Sequence, residues 1–231
     1  MKRILKKGVD YALRVNNYIT KQRHNSDTLF CRNYIDSDSL EKKSFTTEEL
    51  HVSLQKGVEV LEELGVTYWV ARGTLLGMHR DNDFLKGDKD LDIGVYTDMD
   101  IYKLLKALPF EEVLFTTIHK GRYMQVPLLD EETGVIFDIW IYHDENGRLY
   151  NRNFHGHFEL PVEILSKMTT IDFRGVTYAA PDPDWYLSYW YGDDWREPKS
   201  YNGHWSLDYQ RDCKGFELTD TSHLVNLQFR K

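Results

Sequence analysis

The stretch that most constrains this chain is residues 73–95, where a glycine-bounded turn, Gly73-Thr74-Leu75-Leu76-Gly77, is followed by an acidic strand, Asp90-Leu91-Asp92-Ile93-Gly94-Val95. In an extended segment residues two apart share a face. Asp90, Asp92 and Gly94 therefore point one way, and Leu91, Ile93 and Val95 the other. Two carboxylates on one side of an otherwise apolar strand repel each other unless a cation lies between them. Carboxylate oxygens are the ligands that Mg²⁺ or Mn²⁺ prefers. An acidic turn on the surface would carry the same Asp-x-Asp spacing, so the reading depends on what else the chain supplies.

It supplies a third acid. Val135-Ile136-Phe137-Asp138-Ile139-Trp140-Ile141-Tyr142 reads as a strand by its β-branched and aromatic content. Val135, Phe137, Ile139 and Ile141 make one purely apolar face. The other face holds Asp138 between Ile136, Trp140 and Tyr142, with no Lys or Arg on the strand to pair with it. A buried unpaired carboxylate is costly. If this strand neighbours the Asp92 strand, Asp90, Asp92 and Asp138 converge on one or two metal ions. That is the ligand set of a two-metal phosphoryl-transfer site, with ions roughly 3.5–4 Å apart. The competing reading pairs Asp138 with Arg80 or Arg122.

Gly-Thr-Leu-Leu-Gly, then Arg80, then Asp88, Asp90 and Asp92 resembles the LicD and fukutin-related family. Phe173-Arg174-Gly175-Val176, Pro181, Tyr186-Leu187 and Trp190-Tyr191-Gly192-Asp193-Asp194-Trp195 are similar to the family's closing segment, so the likeness spans about residues 50–198. The resemblance implies an α+β, nucleotidyltransferase-like fold of the polymerase β type, a mixed sheet with flanking helices. It also implies transfer of phosphocholine or a phospho-alditol (ribitol or glycerol phosphate) from a CDP-activated donor to a cell-surface glycan such as lipopolysaccharide, capsule or teichoic acid. Two departures stand out: Arg72 occupies a position where the family usually has glycine, and Lys86-Gly87 replaces a usual Pro-Trp. The acids survive both; donor and acceptor preference is what they put in question.

The surrounding elements suit that core. Thr46 and Glu49 form a capping box, and Leu50, Leu54, Gly57, Leu61 and Leu64 mark one face of a helix that Gly65 ends. A strand over 66–71 then delivers the chain to Gly73. Backbone N–H groups at Gly73 and Thr74 are placed to hold a donor phosphate at a helix N-terminus, with Gly77 allowing close approach and Arg80 neutralising charge. Asp98 begins a helix to about Leu108; 110–117 and 122–129 pair around His119-Lys120-Gly121, from which Arg122 and Gln125 are able to reach the donor. Asn146-Gly147 and Arg174-Gly175 are hairpin turns, a short helix spans 161–168, and Asp182-Pro183 starts an aromatic helix ending at Gly192. Residues 24–45 read as a polar connector and 199–231 as an irregular cover, leaving 46–198 as the catalytic domain. His155-Gly156-His157 lacks the further N or S ligands of a tetrahedral zinc site.

With 41% hydrophobic residues, 231 residues can bury one good core. A net charge of −8 argues against a nucleic-acid polymer as partner. The charge is uneven: residues 1–24 carry seven Lys or Arg against one Asp, a local +6 on an amphipathic pattern. Such a helix packs on the domain or lies on an anionic membrane. Two distant cysteines, the absence of a spanning apolar run and the absence of a signal-type start lead us to expect a cytoplasmic protein, with peripheral contact at the inner face of the membrane through residues 1–24.

The expected chemistry is attack of a glycan hydroxyl on the distal phosphorus of the donor, with Mg²⁺ or Mn²⁺ on Asp90, Asp92 and Asp138, release of CMP, and Asp88 outside the ligand set. A choline donor wants an aromatic cage, for which Trp185, Tyr189, Trp190 and Trp195 are candidates; an alditol donor wants hydrogen-bonding groups. Two rivals keep the same residues: a nucleotidyltransferase moving NMP onto a small molecule with release of pyrophosphate, and a catalytically idle module that binds glycan or nucleotide.

Overall fold

The computed structural model of the protein describes residues 29–32, 44–96, 98–112, 116–152, 156–199 and 213–218. The basic N-terminal segment, His155 and the aromatic tail residues Tyr201, His204, Trp205 and Tyr209 lie outside them.

Helix α1 (Thr47–Glu63) begins as its sequence dictates. The Thr46 N–H donates to Glu49 Oε2 at 2.9 Å, and the Glu49 N–H donates to Thr46 Oγ1 at 3.2 Å. Two N–H groups that the helix cannot use are thereby satisfied. Leu50, Leu54, Gly57, Val58 and Leu61 are its buried stripe. Gly57 is required there, because a Cβ would stand 2.4 Å from the ring of Phe137.

Ten strands make the main sheet. They are β1 (Leu29–Arg32), β2 (Thr67–Val70), β3 (Asp90–Tyr96), β4 (Glu111–Glu112), β5 (Thr116–His119), β6 (Arg122–Leu129), β7 (Ile136–Glu145), β8 (Arg148–Arg152), β9 (Gly156–Pro161) and β12 (Phe216–Leu218). A separate hairpin joins β10 (Met168–Phe173) to β11 (Val176–Pro181). The sheet runs β1-β5-β6-β7-β8-β9-β12, with β3 also on β7, β2 outside β3, and β4 on β6. Strand β7 is the hub. Its first seven residues lie beside β3, its last three pair with β8, and β3–β7 is parallel while the other pairings are antiparallel. Three two-residue turns, Lys120-Gly121, Asn146-Gly147 and Arg174-Gly175, have positive φ at both positions, the backbone twist that suits tight hairpins.

The helices α2 (Arg72–Leu76), α3 (Ile101–Ala107) and α4 (Pro183–Tyr191) complete the α+β fold, with a π-turn over Gly77–Asp81 and a 3₁₀ turn over Val162–Lys167. The cap of α3 is Asp100, which accepts from the Tyr102 N–H, rather than Asp98. The polar connector expected over 24–45 contains β1, paired antiparallel with β5, and the expected irregular tail contributes β12 to the edge at β9. Leu91, Ile93 and Val95 of β3 and Phe137, Ile139 and Ile141 of β7 are fully buried and form the core beneath the parallel pair.

Candidate active site

The parallel register pairs Asp92 with Asp138 and Asp90 with Ile136. Residues in register on neighbouring strands project to the same face, so the alternation in β3 and the acid in β7 bring three carboxylates together. Each offers an oxygen within 4.8 Å of the others. Next along the face, Gly94 faces Trp140 across the pair. A Cβ on Gly94 would lie 2.1 Å from the Trp69 ring, so only glycine leaves the indole its room beside β3. Trp140 Nε1 donates to Asp92 Oδ1 at 2.9 Å, and Gln125 Nε2 donates to Asp138 Oδ2 at 2.7 Å. Asp138 Oδ1 is buried with no hydrogen-bond partner.

The glycine turn serves the acids directly. The Asp92 N–H donates to Thr74 Oγ1 at 2.8 Å, and the Gly73 N–H points to the Asp92 carboxylate. A Cβ at Gly73 would stand 3.2 Å from Asp88 Oδ2 and 3.6 Å from Asp92 Oδ2. The anion that meets this helix start within the chain is Asp92. Gly77 is needed for another reason than ligand approach: a Cβ there would meet the Asp83 carbonyl oxygen at 2.6 Å and the Leu85 nitrogen at 2.8 Å. The chain's own backbone takes the space.

Other expected contacts also go elsewhere. Arg80 forms a two-bond fork with Asp81, both bonds 2.8 Å. Arg122 donates to Tyr150 on β8 at 2.7 Å, so neither arginine neutralises Asp138. Gln125 does reach the site, where it supports Asp138.

Burial pushes Asp138 well above the ordinary carboxylate range, and the charges of Asp92 and Asp90 push it further. Asp88 and Asp92 are raised for the same two reasons. Asp90 is raised by burial against the hydrogen bond it shares with Asp88. Crowded, buried acids that raise one another, with one carboxylate oxygen bare of donors, fit a hard divalent cation.

Sequence reasoning treats Arg72 only as a departure from glycine. The structure makes it a site residue. It is 3% exposed with φ +46°, a left-handed conformation that disfavours side chains. Its guanidinium carbon lies 3.4 Å from the ring centre of Trp140, 4.3 Å from Phe158 and 4.6 Å from Trp190. Its positive charge also lowers Asp90, Asp92 and Asp138. An Arg beside a glycine-turn strand gives no periodic signal; only the paired aromatics, distant in sequence, reveal the box.

Each of the four aromatics expected to form a cage already meets a cation of the chain. Trp190 faces Arg72. Trp185 stacks on Tyr189 at 5.4 Å, faces Lys167 and lines an open groove with His79, Thr169 and Asp182. Tyr189 donates to the Glu159 carbonyl and accepts from Arg148. Trp195 lies between His79, stacked at 5.5 Å, and Arg196 at 4.1 Å.

A model of the LicD/FKTN/FKRP nucleotidyltransferase domain matches residues 65–183, just over half of the chain. The chain is 25% identical over 183 residues to ribitol-5-phosphate transferase FKTN of Mus musculus, covering 76% of this chain and 39% of that protein. It is 27% identical over 135 residues to ribitol 5-phosphate transferase FKRP of Homo sapiens, covering 54% and 27%. It therefore spans well under half the length of these relatives. Among solved structures, an antigenic nucleotidyltransferase-like protein from Paracoccidioides brasiliensis is similar at 18% identity and a TM-score of 0.34, over 63% of this chain and 66% of that one. No helix among the described residues is long and apolar enough to cross a membrane.

Proposed function

Because the chain belongs to the LicD/FKTN/FKRP nucleotidyltransferase-domain family, we propose that it moves a phospho-alditol or phosphocholine group from a CDP-activated donor to a hydroxyl of a glycan, releasing CMP. The observation that carries the reading is the convergence of Asp90, Asp92 and Asp138, with ligand oxygens within 4.8 Å of one another. The names of the relatives, ribitol-phosphate transferases, support the class of group transferred. Mg²⁺ or Mn²⁺ held by the three acids would cancel charge on the diphosphate and on the departing CMP.

The protein's own residues hold this arrangement rigid. Thr74 and Gly73 fix the backbone and carboxylate of Asp92, Trp140 fixes its second side, and Gln125 orients Asp138. As the acceptor oxygen bonds to the distal phosphorus, the bond from that phosphorus to CMP breaks and the hydroxyl proton must leave. Asp138, oriented by Gln125, is the group we assign to take it. Arg72, beside the acids, adds a fixed positive charge near the developing negative charge.

The test incubates the protein with Mg²⁺, a glycan acceptor and, in turn, CDP-ribitol, CDP-glycerol, CDP-choline and nucleoside triphosphates. Release of CMP from a CDP donor is expected. Release of pyrophosphate from a triphosphate instead would make the protein a nucleotidyltransferase, and donor binding without any release would make it a binding module.

A further inference from the structure

We propose that Arg72 sets the donor class. Its guanidinium fills the aromatic box beside the acids, so the site accepts an uncharged polyol phosphate and rejects a donor carrying a quaternary ammonium. This rests on the CDP-donor reading above and decides between the two groups that it leaves open.

Recognition of a trimethylammonium group uses several aromatic faces around one cation. The box has that form. Trp140 and Phe158 stand 5.5 Å apart, as do Phe158 and Trp190, all three rings are buried, and one cation faces all of them. That cation belongs to the chain. A choline headgroup directed here would meet a like charge in a water-poor setting, which is how binding sites exclude wrong partners. The remaining aromatics around α4 already meet cations: Lys167 lies over Trp185, Arg148 donates to the Tyr189 hydroxyl and Arg196 lies over Trp195.

The box adjoins the chemistry. Trp140, one wall, donates to Asp92, and Gly73, the next residue after Arg72, lies against Asp88 and Asp92. The placement of Arg72 opposes two ordinary preferences, a buried charge and a left-handed backbone. A polyol has no cation to conflict with the guanidinium and carries hydroxyls that the neighbouring carboxylates and Gln125 can bind.

The experiment compares binding of CDP-ribitol, CDP-glycerol and CDP-choline to the wild type and to Arg72→Gly, in Mg²⁺, by calorimetry. Glycine accepts the φ of +46°, so the variant removes the cation without straining the backbone. The wild type should bind CDP-ribitol or CDP-glycerol at least about tenfold more tightly than CDP-choline, roughly 1.4 kcal/mol, and Arg72→Gly should shift that ratio toward choline by at least about tenfold. Free choline should leave the tryptophan fluorescence of the wild type unchanged. Equal affinity of the wild type for choline and alditol donors, or an unchanged ratio in the variant, overturns the proposal while the CDP-donor reading stands. Failure of every CDP compound to bind the wild type overturns both. The wild-type comparison decides even if the glycine variant does not fold.

Discussion

Asp130 and Asp138 lie eight residues apart on one hairpin, both almost fully buried, at 2% and 4% exposure. They solve the same electrostatic problem in opposite ways. Asp130, at the turn after β6, accepts from Ser53 Oγ at 2.7 Å, from the Glu132 N–H at 3.1 Å and from Lys56 at 3.3 Å. Burial pushes it upward, but the Ser53 hydroxyl, the Glu132 N–H and Lys56 together outweigh that and hold it below the ordinary range. Asp138, in mid-strand, has one side-chain donor, two neighbouring negative charges and one bare oxygen, and is driven far upward. The chain can satisfy a buried carboxylate completely, and at Asp130 it does. That it withholds such partners from Asp138 supports the proposal that the cluster takes a ligand.

The sharpest break of this contrast is by amide substitution. Asp138→Asn or Asp92→Asn should cut turnover by on the order of 10²–10³-fold or more, while the metal-free protein unfolds at the same or a higher denaturant midpoint because mutual repulsion is relieved. Asp130→Asn should leave turnover per folded molecule near wild type and lower the unfolding free energy by roughly 3 kcal/mol. Equal stability losses in the two variants would abolish the distinction.

Mg²⁺ sharpens it further. At a concentration of about 100 times its dissociation constant the ion should stabilise the wild type by about 2.7 kcal/mol. Asp130→Asn should keep this gain in thermal melts, and Asp138→Asn should lose it.

Acid titration reads Asp130 alone. Its folded pKa is lowered, so its contribution is complete above its unfolded value of about 3.9 and disappears as pH falls through the folded value. The stability difference between wild type and Asp130→Asn should be flat above about pH 5 and shrink below about pH 4. A difference that grows in acid would contradict the sign. The smallest effect belongs to Lys56→Met. Lys56 keeps 29% exposure and also reaches the solvent-facing Glu132, so the loss should be about 0.5–1 kcal/mol in denaturant melts.

Much of the frame is legible in the order of the residues. The Thr46-x-x-Glu49 box, the two-period pattern of β3, the apolar face of β7 and the Asn146-Gly147 turn are local signals, and each maps to an observed element. The placement of Asp138 beside Asp92 follows from asking what a stranded carboxylate needs. What stays hidden is non-local. β1 pairs through its backbone, which a polar connector does not advertise. Gln125 supports Asp138 across two strands. The box around Arg72 draws Trp140, Phe158 and Trp190 from three separate elements. Gly77 is legible as a point of close approach, but not that the approaching group is the chain itself.

The parallel pairing of β3 with β7 also sets when the site can exist. Between Asp92 and Asp138 the chain makes α3 and the β5–β6 hairpin, which form from near neighbours in sequence. The parallel partners have no such shortcut, and closing a long loop costs entropy before any contact rewards it. The like charges of Asp92 and Asp138 therefore meet only when Leu91, Ile93 and Val95 dock against Phe137, Ile139 and Ile141. The reverse holds on opening. Parting β3 from β7 would separate the acids, and because the six apolar side chains beneath them are fully buried, that parting also opens the core.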